Sequence, residues 1–402
     1  MDIMPPLLPA HLLQSDAAAI EAARDLAHSV RREAARRDRE RTLPWAELER
    51  FTASGLGGIR IPKAYGGPGL SFVTLAEVFA ILSAADPSFG QIPQSQFGIL
   101  AVFEDAGSET QKRRIFGSVL AGWRIGNAGP ERGSKHTLDV KTRISAHADG
   151  AFRLNGEKFY STGALFAHWV TVKAIDDDGH QVLAFVRRGA TGLRIIDDWS
   201  GFGQRTTASG TVILEDVRVE AEDIVAFGVL AEKPGLQGPT SQLIQAAIDA
   251  GIARGAIEDT IDFVRLRSRP WVDAGVDAAS REPFVIAEIG RLKIESHAAD
   301  ALLLEAARTL DAIAGEPVDA DSAARASIAV AEAKAQSTEI ALLASEKLFE
   351  LAGSRATLAE WNLDRHWRNA RTHTVHDPVR WKYHAIGDYY LNGTRPARHS
   401  WI

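Results

Sequence analysis

Along the first third of the chain, apolar residues return every three or four positions, the spacing of one helix face. The stretch 15–41 opens on a Ser/Asp cap and holds no internal Gly or Pro, which predicts a long helix. A shorter helix over 44–58 is closed by glycine, and the breaker-rich 58–69 reads as a loop. Residues 71–86 are strongly apolar and predict a buried helix. Helical spacing resumes over 87–107, after Pro87 and Gly90. The lead-in MPPLLPA (4–10) is proline-broken and reads as extended.

The period changes near residue 125. Short β-branched or aromatic stretches follow, divided by turn dipeptides such as Asp149-Gly150, Asn155-Gly156 and Asp178-Gly179. They predict a small antiparallel barrel or sandwich. Neither G-x-G-x-x-G nor G-x-x-x-x-G-K-[ST] occurs in a strand–turn–helix setting, so a parallel Rossmann unit is not expected. After a linker at 231–240, long helices are predicted over 241–268, 283–314, 321–352 and 358–377, enough for a bundle. The expected fold is mainly α with a central β-domain. Its domains run 1–122 (helical), 123–232 (β) and 233–402 (four-helix bundle with a packed tail).

Composition narrows the function classes. Net charge is −6, and the basic cluster RREAARRDRER (31–41) is interleaved with acids. That pattern reads as a solvated helix face, so no nucleic-acid partner is expected. No apolar run reaches the ~20 residues a membrane helix needs, and no signal pattern opens the chain. A cytoplasmic protein without a membrane partner is expected. The 402 residues include no Cys and two Met. Zero Cys excludes disulfides and thiolate chemistry. The low sulfur content fits either compositional drift or production when sulfur is scarce.

The densest chemistry lies late, in RTHTVHDPVRWKYH (371–384). If the last helix runs up to Pro378, His366 and His373 share a face, and His373 neighbours His376. Arg365, Arg368 and Arg371 would then form a cationic surround. Imidazoles titrate near neutrality and can donate a proton to a nascent oxyanion or peroxide. His373, His376, Asp377 and His384 could instead ligate a metal, but the nearby cations oppose it, and no metal is expected. Structural histidines remain the third reading. GNAGPE (126–131) offers Asn127, an amide suited to a heteroaromatic edge. KFYSTGALFAHW (158–169) offers Ser161 and Thr162 beside Gly163, and DDWSGFGQRTTASG (197–210) offers Trp199, Phe202 and Arg205 as a stacking wall. Turns and core aromatics are the alternatives for these stretches.

Together these stretches resemble the acyl-CoA dehydrogenase superfamily, over essentially the whole chain. The likeness is closest to SfnB-type sulfur-acquisition oxidoreductases and to the flavin monooxygenase branch that includes dibenzothiophene monooxygenase. It is carried by ADPSFGQIPQSQF, LNGEKFYSTGALFAHW, DDWSGFGQRTTASGTV and RHWRNARTHTVHDPVRWKYHAIGDYYLNG. The resemblance implies a flavin site at the junction of three domains and a homo-oligomer, usually a tetramer. It also implies a packed tail that can reach a subunit boundary.

Aligned on RNAR, this chain reads Val375-His376-Asp377-Pro378 where acyl-CoA dehydrogenases carry the glutamate that removes the α-proton. The R-x-x-F-G segment that holds the FAD diphosphate is replaced by RLRSRPW (265–271), and the glycine-rich adenylate stretch is reduced to ELAGSRA (350–356). FMN is therefore expected, as a reduced co-substrate, rather than FAD. By resemblance, Asn127 and Ser161 or Thr162 bind the isoalloxazine, Trp199 lies near the ring, and Arg267 or Arg269 reaches the phosphate from a neighbouring subunit. His373 and His376 would be catalytic, steadying a flavin C4a-hydroperoxide. Gln91, Ser95 and Gln96 replace the His and Tyr common in the branch and would line a smaller, more polar substrate pocket. The implied function is an FMNH2-dependent monooxygenase acting on a small organosulfur compound, fed by a separate NAD(P)H-dependent flavin reductase. An FAD dehydrogenase or oxidase acting on an acyl-CoA, and a non-catalytic flavin-binding subunit, are the alternatives.

Overall fold

The computed structural model describes residues 7–399 and 401–402; residues 4–6 of the expected lead-in lie outside them. Six helices come first: α1 (Asp16–Glu40), α2 (Trp45–Ala53), α3 (Phe72–Ala85), α4 (Pro87–Gln91), α5 (Gln94–Ala106) and α6 (Glu109–Leu120). Ser15 accepts from the backbone N–H of Ala18 and starts α1 as its side chain requires. The stretch 87–107 breaks at Ile92–Pro93 into two helices rather than one. That break sets Gln91 at a helix end.

The basic cluster on α1 is only partly solvated. Arg36 pairs with Glu33 and Glu40 on the surface, as its spacing dictates. Arg37, however, is buried against Asp86 (2.9 Å) and Glu47 (2.8 Å), Asp38 pairs with Arg368 (2.6 Å), and Arg31 meets Glu258 and Asp259. These residues anchor α1 to distant elements, which the local charge alternation alone could not reveal.

Eight strands follow: β1 (Ile125–Ala128), β2 (Arg143–Ala146), β3 (Phe152–Lys158), β4 (Trp169–Ile175), β5 (Gln181–Arg187), β6 (Leu193–Ile196), β7 (Thr211–Val219) and β8 (Ile224–Val225). They form one sheet in the order β6-β7-β3-β2-β4-β5-β8, with β1 paired to β4. The expected antiparallel arrangement holds for most pairs and is corrected at one edge of β4. β1 runs parallel to β4 with Asn127 opposite Thr171, and β2 is also parallel to β4. Both strands share one edge of β4, a non-local pairing that no turn signal announces.

Three long helices complete the body: α7 (Gln237–Leu266), α8 (Pro283–Ala314) and α9 (Ala320–Ala352). Asp319 caps α9 with a reciprocal Ser322 bond. One apolar core joins α1, α3 and α7 to α9, so the first and last helical regions pack as a unit. A single helix over 358–377 does not form. A 3-10 turn (Ser354–Thr357) precedes α10 (Asp364–His373), and α11 (Arg380–Asn392) follows. α10 stops before Pro378, which disfavours helical geometry at Asp377. His376 and Asp377 therefore lie in the turn between helices. Within the chain α11 buries only Lys382, which holds the Trp401 carbonyl, while Trp381, Tyr383, Tyr390 and Leu391 are exposed.

Candidate functional site

Three helices bring one polar line into an otherwise apolar interior. On α7, Gln242, Gln245 and Asp249 follow at three- and four-residue steps and so share a face. Asp249 is fully buried and faces three partners. Lys334 of α9 forms an ion pair with it, Thr338 donates to its Oδ2 (2.7 Å), and His373 Nδ1 lies 2.5 Å from its Oδ1. Burial opposes the charge on Asp249, but Lys334 and His373 outweigh it and bring the carboxyl down to about 2. Burial lowers the His373 pKa, outweighing the attraction of Asp249. Facing an ionised carboxylate, Nδ1 is the ring nitrogen that carries a proton. Its Nε2 lies 3.1 Å from the Gln91 side-chain oxygen. The Gln91 amide suits either ring state, oxygen to a protonated nitrogen or NH2 to a bare one.

His376 behaves differently. Its side chain is 42% exposed, and its Nδ1 sits 3.4 Å from Asp377 Oδ1. Asp377 is buried and pairs with Lys382 (3.1 Å). Burial works against its charge, yet His376, Lys334 and Lys382 prevail and hold it well below the usual carboxylate range. Lys382 also donates to Gln242 Oε1 (2.9 Å) and to the Trp401 carbonyl, tying the histidine turn to α7 and the tail.

The β-domain residues meet this line through α4. The Asn127 N–H donates to the Thr162 carbonyl (3.0 Å), and Asn127 bridges Gly163. Gly163 lies against the Ile92 carbonyl and Ser95 Oγ, one residue beyond Gln91. The Ser161 and Ser95 hydroxyls are shielded from solvent, and neither has a hydrogen-bond partner among the described residues. Both ends of the Gln245 and Gln204 amides, and the Thr372 and Thr374 hydroxyls, share that state. Buried polar groups rarely stay unpaired unless a ligand or water meets them. These groups come from α5, α7, α10 and the adjoining loops, and donors and acceptors of this kind suit the polar edge of an isoalloxazine.

Other predicted residues hold different places. Thr162 Oγ1 shares a hydrogen bond with Ser209 (2.7 Å). Trp199 donates to the Gln204 carbonyl (2.9 Å), within a loop fixed to α10 by the Gln204 N–H and Asn369 Oδ1 (2.7 Å). Phe202 stacks on Trp367, and Arg205 donates to the Asp38 carbonyl (2.8 Å). Gln96 is a stitch rather than a free pocket group: it donates to the Gly57 carbonyl (2.8 Å) and accepts from the Ile125 N–H (2.9 Å). Arg267 and Arg269 lie exposed at the far end of α7, about 27 Å from Asp249 at 1.5 Å per residue. Arg267 covers the Trp361 ring at 4.1 Å. The cationic surround is partly spent: Arg365 pairs with Asp259, and Arg368 with Asp38 and Asp364. His366 is buried on Asp259 (2.8 Å) and is structural.

The site's counterions escaped the sequence reading. Asp249 is a lone charge inside the apolar helical stretch IQAAIDAGIA, and Lys334 lies among alanines in AVAEAKAQST with only Glu332 for company. A charge there must be paired, and that was the available signal.

The acyl-CoA dehydrogenase N-terminal domain family matches residues 14–122, and the C-terminal domain family matches residues 243–381. The chain belongs to the acyl-CoA dehydrogenase family. It is 34% identical to a dibenzothiophene monooxygenase of Rhodococcus erythropolis over 96% of this chain and 97% of that one. It is 31% identical to a probable FMNH2-dependent monooxygenase, SfnC, of Pseudomonas putida, covering 94% and 96% of the two chains. The FMN-bound crystal structure of TdsC from Paenibacillus sp. A11-2 superimposes with a TM-score of 0.91 at 30% identity, over 96% of this chain and all of that one. The family places this member among flavin-dependent oxidoreductases.

Proposed function

We propose that the chain is a monooxygenase that uses reduced FMN and O2 to oxygenate a small organosulfur compound. A separate NAD(P)H-dependent flavin reductase supplies the reduced flavin, and the enzyme works as a homotetramer. The observation that carries this reading is the state of Asp377. It occupies the stretch where a dehydrogenase keeps its base, yet it is locked by Lys382 and His376 with its pKa depressed. So weak a base is a poor acceptor for a carbon-bound proton. An acyl-CoA dehydrogenase activity is thereby disfavoured, while proton donation from an adjacent imidazole is kept.

The unpaired groups of Ser161, Ser95 and Gln245, with the Asn127 amide, fit the polar rim of the flavin. Reduced FMN supplies the two electrons that activate O2. His376 donates a proton to the oxygen atom that leaves as water. His373, anchored on Asp249, orients Gln91 toward the same space. Burial of Asp249, His373 and Gln91 limits water on their side of the reacting atoms. The test is stopped-flow mixing of the FMNH2-loaded chain with O2, followed by product analysis on small sulfides, sulfones and sulfinates. Substrate-dependent oxygen incorporation supports the reading. Anaerobic bleaching of bound flavin by an acyl-CoA would overturn it.

A further inference from the structure

The two histidines of the site stand in matching rows. In each row a carboxylate lies between an imidazole and an ammonium and divides its oxygens between them. Asp249 turns Oδ1 to His373 Nδ1 and Oδ2 to Lys334. Asp377 turns Oδ1 to His376 Nδ1 and Oδ2 to Lys382. Both carboxylates and both lysines are buried. A lysine is almost never fully buried unless paired, and here each pairs with a carboxylate that also faces a ring. The rows are joined, because the Lys334 charge also acts on Asp377.

The rows differ at the far ring nitrogen. His373 Nε2 ends on Gln91 inside the protein. His376 is exposed, and with Nδ1 on Asp377 its Nε2 is the atom turned away from the carboxylate. A carboxylate beside an imidazole makes the ring hold its proton more tightly. An ammonium on the other carboxylate oxygen offsets that attraction. Lys382 is fixed in this place by Gln242 Oε1 (2.9 Å) and the Trp401 carbonyl, so it cannot swing toward solvent. The charges about the turn come from every element packed there: Asp377 within it, His373 from α10, Asp249 from α7, Lys334 from α9 and Lys382 from α11. Arg380, which opens α11, is exposed.

We propose that Lys382 is a positioning residue: acting through Asp377, it sets how readily His376 gives up its proton, and with it the share of O2 that ends in product rather than H2O2. The inference rests on the monooxygenase reading and adds the control of coupling to it. With X as substrate, the productive reaction is X + O2 + FMNH2 → XO + FMN + H2O. One oxygen atom bonds to X, the other leaves as water, and the reduced flavin gives two electrons and two protons. The unproductive reaction is FMNH2 + O2 → FMN + H2O2, in which both oxygen atoms leave together. His376 serves the first by giving a proton to the departing oxygen. A ring that holds its proton too tightly slows that step, and release of H2O2 then competes.

Diethyl pyrocarbonate attacks only unprotonated imidazole, so labelling the full-length chain across a pH series, with mass spectrometry of the His376 peptide, reads that ring's proton affinity. Lys382→Met should raise the labelling midpoint by about half a pH unit or more, because Asp377 loses its counter-charge. Asp377→Asn should lower it, and Lys382→Arg should leave it in place. A turn that had merely loosened would bring Lys382→Met and Asp377→Asn to one shared midpoint, and that outcome would overturn the proposal. A ring that resists labelling at every pH would overturn it too, since Nε2 would not open outward. In turnover with FMNH2, O2 and dimethyl sulfide, dimethyl sulfone or methanesulfinate, Lys382→Met should raise the H2O2 share about threefold or more, and Lys382→Arg should recover most of the coupling. Oxygenation with an unchanged H2O2 share would defeat this inference alone. Opposite midpoint shifts in a chain that oxygenates none of the three probes would defeat the monooxygenase reading and leave the tuning of His376 standing.

Discussion

Asp249 is the residue on which the histidine line turns, because among the described residues it alone joins α7, α9 and α10 by charge. Removing one partner of a buried pair leaves the other uncompensated, at a cost of about 3–5 kcal/mol. Asp249→Asn should therefore lower unfolding free energy by about that much in urea titration. Adding Lys334→Met should restore a large part, because the stranded ammonium is gone. Strictly additive losses in the double variant would show that the pair is not coupled. The pH dependence has a definite sign. His366 and His373 both have lowered pKa values in the folded state, burial being the main cause. Their contribution is complete above the unfolded value near 6.5 and is lost as pH falls through the folded values. Asp249 acts in the same sense lower down, between the unfolded value near 4 and about 2. Melting temperature should fall from pH 7 to 5, and His373→Asn should flatten that fall. A profile that rises toward acid would contradict these burials. His376 is separable from stability because it is half exposed. His376→Ala should change unfolding free energy by no more than about 0.5 kcal/mol while cutting turnover about 10²–10⁴-fold. Unaltered turnover with intact flavin binding would move the chain toward a non-catalytic flavin-binding role.

At the scale of elements, the site depends on the 199–207 loop docking against α10. Gly203 permits it: a Cβ there would collide with the Arg368 carbonyl and reach 2.7 Å from Thr372 Oγ1. Gly203→Ala should lift the loop, cost about 1–3 kcal/mol and weaken FMN binding, measured by urea unfolding and flavin fluorescence. Unchanged FMN affinity would mean that the loop and its Trp199 lie outside the flavin site. Elements with strong local marks were legible in the sequence. α1 and α9 carry caps at Ser15 and Asp319 and run without breakers. α10 was overextended because 358–363 contains neither Gly nor Pro, and its turn is made instead by Asn362 in the left-handed region. The parallel pairing of β1 with β4 was illegible because it joins segments some forty residues apart with no turn between them. In the site, imidazoles and amides could be picked out by type and spacing. Asp249, Lys334 and Lys382 could not, since a charge declares its role only when the fold supplies its partner.

The far end of α7 and the start of α8 expose Leu266, Trp271, Val272, Phe284 and Ile286, with Phe284 85% accessible. Contiguous apolar exposure of this kind marks a contact surface. Arg267 and Arg269 rise from the same end, remote from their own chain's histidines. In a closed symmetric assembly a surface repeated on each copy can complete a neighbour's site. If these arginines serve a neighbour's flavin phosphate, Phe284→Asp should split the proposed tetramer and lower FMN affinity at least tenfold, read by sedimentation and fluorescence titration. Loss of affinity could still follow from general loosening, so hybrids supply the sharper measurement. One parent carries Arg267→Ala with Arg269→Ala, the other carries His376→Ala, and each alone should be nearly inactive. Mixed assemblies contain sites with the histidine of the first chain and the arginines of the second. Activity should therefore return on mixing if the arginines act across the interface. It should stay absent if they act within their own chain, since every site then lacks one group or the other.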